Sequence, residues 1–216
     1  FAHEATISHA AHLVGVEGFG LSLHNAIVVP YIVAFGSEEQ KRQWLPRMAS
    51  GETISGICMT EPGAGSDVAA IRTRARRDAN ELVVSGQKIF ISNGQIADLF
   101  LVAAKTDPDA GAKGVSLVLV ESDRAGFARG RNLEKIGMHA QDTSELFFDE
   151  VRVPASNLLG AEGKGFGYLM NQLPQERLSI AVSAQAGAQR AFDEAVKFTK
   201  ERKAFGATVF EFQNTK

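Results

Sequence analysis

The loop at residues 58–68 carries short polar side chains at a spacing that suits contact with a flat or anionic ligand. Thr60 and Ser66 offer hydroxyl groups, and Gly63 and Gly65 keep the backbone between them free of bulky side chains. Because glycine permits backbone conformations that other residues avoid, main-chain N–H groups in such a loop can approach a ligand closely. On composition alone, an ordinary Gly/Pro turn between two strands explains the loop equally well.

Glu176 is a candidate for proton-transfer chemistry, and Arg177 follows it in a helical pattern. A carboxylate held in a dry site can act as a general base. An acidic residue in the first turn of a helix is also favoured by the helix macrodipole. Sequence position alone favours this second, structural explanation.

Arginine side chains are the candidates for binding phosphate, because the guanidinium fork suits phosphate oxygens. Arg202 lies in the segment 201–206, where a helix C-terminal cation is the structural alternative. Arg72, Arg74 and Arg76 alternate with smaller residues, and we interpret them as the solvated face of a hairpin.

Three segments follow one another along the chain, with helical, strand-like and again helical patterns, and together they predict an α+β fold. We expect a partial N-terminal helical domain at residues 1–52, a middle β domain at 53–156 and a partial C-terminal helical domain at 157–216. The middle part has the composition of a small sandwich or barrel, with a hairpin at 71–86, and its strands are predicted near 88–92, 99–104, 115–120 and 146–154.

Proline and glycine divide the helical parts. A helix at about 21–35 is expected to kink at Pro30 or to be briefly interrupted there, and Gly36 then ends it. Ser37 and Gln40 have the spacing of a capping box that begins the next helix. We expect Pro46 to close that helix and Pro174 to interrupt the helical pattern near Glu176, because proline lacks the N–H that continues a helix.

Composition excludes several classes of protein. A formal net charge of -2 over 216 residues gives no general attraction to nucleic acid or anionic membranes, and no apolar run reaches the roughly 18–20 residues of a membrane span. Cys58 is the only cysteine, which rules out an internal disulfide and favours a reducing compartment. The histidines have no convincing metal-ligand spacing. The chain begins at Phe1 without a helix start signal, so we expect it to be an internal portion of a longer protein.

The order Cys58-Met59-Thr60-Glu61-x-x-Ala64-Gly65-Ser66-Asp67-x-x-Ala70 resembles the first signature of the acyl-CoA dehydrogenase family of flavoproteins. The resemblance covers essentially the whole chain, and the sequence motifs are most similar to those of the long-chain members. It implies an α+β fold with a helical N-terminal part, a central β-barrel or sandwich and a helical C-terminal bundle that is truncated here.

The resemblance implies two groups of residues that contact FAD. Met59 and Thr60 would meet the edge of the flavin ring, Ser66 would lie at the pyrophosphate, and Phe90 and Ser92 would lie along the ring. This chain has Phe90 where tryptophan is frequent and Ser92 where threonine is frequent, which keeps the aromatic and hydroxyl characters.

The second group implied by the resemblance reaches the FAD of a neighbouring subunit, in a homodimer or homotetramer. Arg202 would pair with the pyrophosphate, and Phe205 and Gln213 would contact the adenosine half. Ser66 and Arg177 are also expected to contribute to substrate binding.

The sequence Pro174-Gln175-Glu176-Arg177-Leu178 is similar to a Glu-Arg-Leu segment that carries the catalytic base in a minority of the family, including the long-chain and isovaleryl enzymes. The resemblance therefore implies that Glu176 removes the α-proton of an acyl-CoA while a hydride passes from the β-carbon to flavin N5. A medium or long straight acyl chain is preferred, and a branched short chain stays open.

The resemblance further implies a role in fatty-acid β-oxidation, with an electron-transfer flavoprotein as electron acceptor, in a bacterial cytoplasm or the mitochondrial matrix. Two other functions stay open at this stage. One is a flavin oxidase or monooxygenase on the same scaffold, and the other is a non-catalytic binding module.

Overall fold

The computed structural model describes residues 1–16, 18, 20 and 22–215. These residues form two compact units, one made of the two ends of the chain and the other of Gly18–Glu176. The boundary between the units falls within a helix, between Glu176 and Arg177. The division into domains at 52/53 and 156/157 stays a prediction.

The described residues contain four α-helices, and a π-helical stretch at Leu23–Val28 leads directly into the second of them. The α-helices are α1 Ala2–Leu13, α2 Val29–Phe35, α3 Glu38–Ser50 and α4 Gly165–Glu201. Pro30 lies in the first turn of α2, where a missing N–H costs little, and the geometry changes from π to α just before it. The backbone stays helical across this point, so a short interruption at Pro30 is not observed. The expected start of this helix at Leu21 lies outside the described residues.

The capping box that begins α3 is confirmed. The Ser37 hydroxyl accepts a hydrogen bond from the Gln40 N–H at 3.2 Å, and the Gln40 side-chain oxygen accepts one from the Ser37 N–H at 3.0 Å. The helix ends at Gly51, which adopts the left-handed conformation with φ of 81°.

Two expectations about proline are wrong. Pro46 lies inside α3, which continues to Ser50 because Trp44 and Met48 on either side of it are both buried in the core. Pro174 likewise lies inside α4, which runs without a break from Gly165 to Glu201. Packing along a helix face outweighs the one hydrogen bond that each proline removes.

A single eight-stranded sheet forms the middle of the chain, in the order β6-β7-β3-β2-β4-β5-β8, and β1 pairs with β4 in parallel. The remaining neighbours are antiparallel except β2 and β4. The strands are β1 Ser55–Cys58, β2 Arg74–Asp78, β3 Glu81–Ser92, β4 Leu99–Lys105, β5 Val115–Glu121, β6 Phe127–Asn132, β7 Thr143–Pro154 and β8 Leu158–Leu159. The predicted hairpin is confirmed as β2 and β3, with Arg74 and Arg76 exposed and Ala75 buried between them.

Side chains on both faces of the central strands are buried, which explains why these strands are apolar throughout. Leu99, Leu101 and Ala103 of β4 belong to one core cluster, together with Tyr31 of α2. The alternate residues Phe100, Val102 and Ala104 belong to a second cluster, with Leu146 and Phe148 of β7. Successive side chains of a strand point to opposite faces, so each strand contributes to both clusters.

The other unit contains α1, the part of α4 that begins at Arg177, and a small hairpin of β9 Lys203–Ala204 and β10 Ala207–Thr208. The hydroxyls of Ser8 and Ser183 are hydrogen-bonded at 2.8 Å, and Arg190 donates to the Leu13 carbonyl at 3.1 Å. The helix–sheet–helix order predicted from the sequence is confirmed. Among the described helices, none is long and apolar enough to cross a membrane.

Candidate active site

The loop at residues 58–68 folds into a tight turn that leaves one side open. Glu61 N–H donates to the Ala64 carbonyl at 2.9 Å, and Ala64 N–H donates to the Glu61 carbonyl at 3.1 Å. A Cβ atom placed on Gly63 or Gly65 would meet nothing within 4 Å, and Ser66 is exposed. The glycines are therefore not required by packing within the described chain, and they leave room for a ligand beside the backbone.

A buried ion pair fixes the loop to β3. The Lys88 ammonium donates to Glu61 at 2.8 Å, to the Met59 carbonyl at 3.1 Å and to the Ala103 carbonyl at 2.8 Å. These three acceptors satisfy its three N–H donors. The Glu61 carboxylate also accepts from the backbone N–H of Arg72 and of Thr73, at 2.6 and 3.0 Å.

Burial and pairing act in opposite directions on these two groups. Burial raises the pKa of Glu61, but the charge and hydrogen bond of Lys88 and the bonds from residues 72 and 73 outweigh it, so this pKa lies below its ordinary value. Burial lowers the pKa of Lys88, and the attraction of Glu61 offsets that effect only in part. The opposite charges of Lys88 and Glu61 therefore compensate each other in this buried position.

Phe90 is presented next to this loop by a strained piece of β3. The Ile89 N–H donates to the Thr60 carbonyl at 3.0 Å, which ties the strand to the loop. The register between β3 and β7 shifts between Lys88 and Ile91, and Phe90 within this stretch has φ of 60°. A bulky residue rarely adopts positive φ, and such strain is concentrated at functional sites. Phe90 is 62% exposed.

The structure thus brings together most of the residues of the first predicted group. Met59 and Thr60 adjoin residues 88–90 through the contacts just described, and Ser92 ends the same strand. Ser66 lies at the exposed end of the same loop.

Glu176 is buried, with 5% of its surface exposed, and it lies well inside α4 rather than in its first turn. The alternative of a first-turn position is therefore wrong, because α4 continues through Pro174, and the macrodipole does not explain this residue. The Tyr31 hydroxyl donates to Glu176 Oε1 at 2.7 Å. Tyr31 is completely buried, and its pKa is raised first by burial and then by the hydrogen bond and charge of Glu176.

The second predicted group lies in the unit formed by the chain ends and is exposed. Arg202 directly follows α4, where its N–H donates to the Phe198 carbonyl at 2.8 Å. Phe205 is at the turn between β9 and β10, has φ of 53° and is 99% exposed. Gln213 and Arg177 are also exposed.

The sequence alone did not predict that Tyr31, Glu61 and Lys88 organise the site. A tyrosine inside the apolar helix after Pro30 was one available signal, because a buried phenol hydroxyl needs a partner. A lysine among the apolar residues of β3 was another. Neither signal identifies the partner, which is distant in sequence in both cases.

Three family models match the chain in succession. They are the N-terminal domain of acyl-CoA dehydrogenase at residues 2–52, the middle domain at 56–151 and the C-terminal domain at 163–216. Together they account for nearly all of the sequence.

Individual proteins give the same result. The chain is 52% identical over 198 residues to the mitochondrial long-chain specific acyl-CoA dehydrogenase of Sus scrofa. The matched region covers 91% of this chain and 46% of that protein. A crystal structure of an acyl-CoA dehydrogenase from Geobacillus kaustophilus is 53% identical, with a TM-score of 0.96 over 100% of this chain and 57% of its own. A glutaryl-CoA dehydrogenase from Mycobacterium smegmatis in complex with FADH2 is 34% identical, with a TM-score of 0.89 over 98% of this chain and 53% of its own. The chain therefore spans about half the length of the relatives it matches.

Proposed function

This chain belongs to the acyl-CoA dehydrogenase family, a family of oxidoreductases, and from that premise we propose that it converts a medium- or long-chain acyl-CoA to the trans-2-enoyl-CoA with Glu176 as the base. The observation that carries the proposal is the burial of the Glu176 carboxylate against Tyr31. A base for a weakly acidic C–H group must be kept from water, and this carboxylate is.

In the proposed reaction, Glu176 takes the proton from the α-carbon of the thioester. The electron pair of that C–H bond forms the α,β double bond as the β-carbon loses a hydride. When FAD is bound, it supplies the acceptor for that hydride. The protein's own contribution is to place a charged carboxylate in a dry site and to hold the cofactor beside the substrate.

The residues of the loop and of β3 fit an FAD molecule. The open side at Gly63 and Gly65 gives backbone access, and the exposed Phe90 offers an aromatic surface. We therefore propose that Met59, Thr60, Ser66, Phe90 and Ser92 hold the flavin half. The solved relative in complex with FADH2 supports this choice of cofactor.

The exposed residues of the other unit suit a partner's cofactor. Arg202 would bind the pyrophosphate, and Phe205 and Gln213 would contact the adenosine half, in a homodimer or homotetramer. An almost fully exposed phenylalanine on a tight turn favours such a role, because burying it in an assembly removes apolar surface from water.

The substrate and the electron acceptor are proposed by comparison with the relatives of this chain. The similarity to a long-chain enzyme supports a long straight acyl chain over a branched short one. Ser66 and Arg177 would contribute to binding the CoA part, since both are exposed and polar. An electron-transfer flavoprotein is the proposed acceptor, and a bacterial cytoplasm or the mitochondrial matrix is the proposed compartment.

The test uses the full-length protein with FAD under anaerobic conditions. We expect a series of straight and branched acyl-CoAs to bleach the flavin absorbance, most strongly with medium or long straight chains. Glu176→Gln should slow the bleaching by about 10²–10⁴-fold, the usual contribution of a general base. Glu194→Gln, an exposed residue on the same helix, is the matched control and should bleach like the wild type.

Two results would overturn the proposal. A flavin band that persists with every acyl-CoA would favour an oxidase acting on another substrate or a binding role. Full activity in Glu176→Gln would show that the reaction does not need this carboxylate as a base, and a monooxygenase on this scaffold needs no α-proton base.

A further inference from the structure

Tyr31 and Glu176 are joined by a hydrogen bond of 2.7 Å between two buried side chains. We propose that Tyr31 is a positioning residue, which holds the Glu176 carboxylate in one orientation and in its ionised form. This inference rests on the proposed function, in which Glu176 is the base. It adds a residue from α2 to a site otherwise built from the loop, β3 and α4.

The phenol is held by its packing as well as by the hydrogen bond. The ring of Tyr31 lies 6.3 Å from that of Phe35, which stacks on Tyr168 at 4.0 Å. Ile32 and Leu169 of the same core cluster are completely buried. Side chains in a close-packed core occupy fixed rotamers, so the hydroxyl is a fixed donor and directs the carboxylate oxygen that accepts from it.

The hydrogen bond also acts on charge. A donor to a carboxylate favours its ionised form, whereas burial alone favours the protonated acid. Burial and the neighbouring carboxylate raise the pKa of Tyr31, so the phenol keeps its proton and stays a donor. Loss of the hydroxyl should therefore raise the pKa of the base and move the acid limb of kcat/KM to higher pH.

The other titratable groups considered in this part of the fold either have their own hydrogen-bond partners or are exposed. The His24 ring is hydrogen-bonded to the Ser55 hydroxyl at 2.8 Å and to the Met48 carbonyl at 3.2 Å. The Tyr168 hydroxyl accepts from the Ala161 N–H at 3.1 Å. Arg177 follows Glu176 on the same helix and is exposed. Of these groups, the phenol of Tyr31 is the one that contacts Glu176, at 2.7 Å.

The test compares Tyr31→Phe with Tyr168→Phe in the full-length, FAD-loaded protein. Both variants lose one hydroxyl from the same core cluster, but of the two it is Tyr31 that donates to Glu176, whereas Tyr168 accepts from Ala161. We expect Tyr31→Phe to move the acid limb of kcat/KM up by about one pH unit, the size of one hydrogen bond to a charged group. Tyr168→Phe should leave the limb where it is in the wild type.

A second measurement follows Glu176 without using activity. The infrared carboxyl band that disappears in Glu176→Gln reports the protonation of this residue, and its midpoint should rise by the same amount in Tyr31→Phe. Replacing Tyr31 with 3-fluorotyrosine strengthens the donor and should shift both readouts to lower pH, which keeps the test open if the phenylalanine variant does not fold.

The two proposals fail in different ways. If Glu176→Gln is inactive but neither Tyr31 variant shifts the limb or the infrared midpoint, the positioning role is wrong and the base assignment stands. If Glu176→Gln is fully active, the proposed function fails, while the infrared midpoint still tests whether Tyr31 stabilises the charged carboxylate.

Discussion

The Lys88 ammonium lies 2.8 Å from the Glu61 carboxylate, and both groups are buried beneath the loop that carries Met59 and Thr60. Lys88 also donates to the Met59 carbonyl, so one side chain connects the ion pair to the proposed flavin-binding backbone. Gly63 and Gly65 make the loop glycine-rich and have no neighbouring atoms where a side chain would lie. The loop is nevertheless anchored, because its Glu61 carboxylate is held by Lys88 of β3.

Lys88→Met should be strongly destabilising. The substitution leaves the Glu61 carboxylate buried without its charged partner, and such a loss costs about 3–5 kcal/mol. The free energy of unfolding from urea denaturation measures this. Lys41→Met, which removes a more exposed partner of Glu38, is the control and should change stability little. Equal effects of the two variants would contradict the anchoring role.

The same ion pair predicts an acid-dependent loss of stability. The pKa of Glu61 is lower in the folded protein than its ordinary value, so its stabilising contribution is complete above the unfolded-state pKa of about 4.3. That contribution is lost as the pH falls through the lower, folded-state pKa. Unfolding free energies measured across this range should fall more steeply for the wild type than for Glu61→Gln. Parallel curves would show that another group causes the acid dependence.

Local features were predictable from the sequence, and distant partners were not. The capping box of Ser37 and Gln40 depends on residues three positions apart, so its spacing alone identifies it. The Tyr31–Glu176 and Lys88–Glu61 contacts join residues 145 and 27 positions apart, and only the fold determines which groups meet. The resemblance to a family identified Glu176 as a candidate but not the phenol beside it.

The prediction that Pro46 ends α3 was wrong for a related reason, because the packing that maintains the helix depends on the fold. Pro46→Ala tests this explanation. The helix around Pro46 is maintained by the burial of Trp44 and Met48, although proline is unfavourable in a helix interior by about 3 kcal/mol. Restoring an N–H should therefore raise the unfolding free energy by up to about that amount. A melting temperature unchanged from the wild type would indicate that the helix has already adapted to the proline.

Phe90 should show a conflict between stability and cofactor binding. Its φ of 60° costs a non-glycine residue about 1 kcal/mol, so Phe90→Gly should stabilise the FAD-free protein by a similar amount. The same change removes the exposed ring that we propose to contact the flavin, so FAD should dissociate more readily. Thermal unfolding without FAD and equilibrium FAD titration measure the two effects.

Ala79→Gly is the matched control for Phe90→Gly. Ala79 has φ of 52° in the turn between β2 and β3, and it is not among the proposed cofactor residues. This variant should gain stability for the same backbone reason and keep the FAD affinity of the wild type. A weaker FAD affinity in both variants would attribute the loss to the sheet in general, and an unchanged affinity in Phe90→Gly would remove its ring from the flavin site. A loss confined to Phe90→Gly would mean that the strained backbone at Phe90 is retained because it presents the ring to the cofactor.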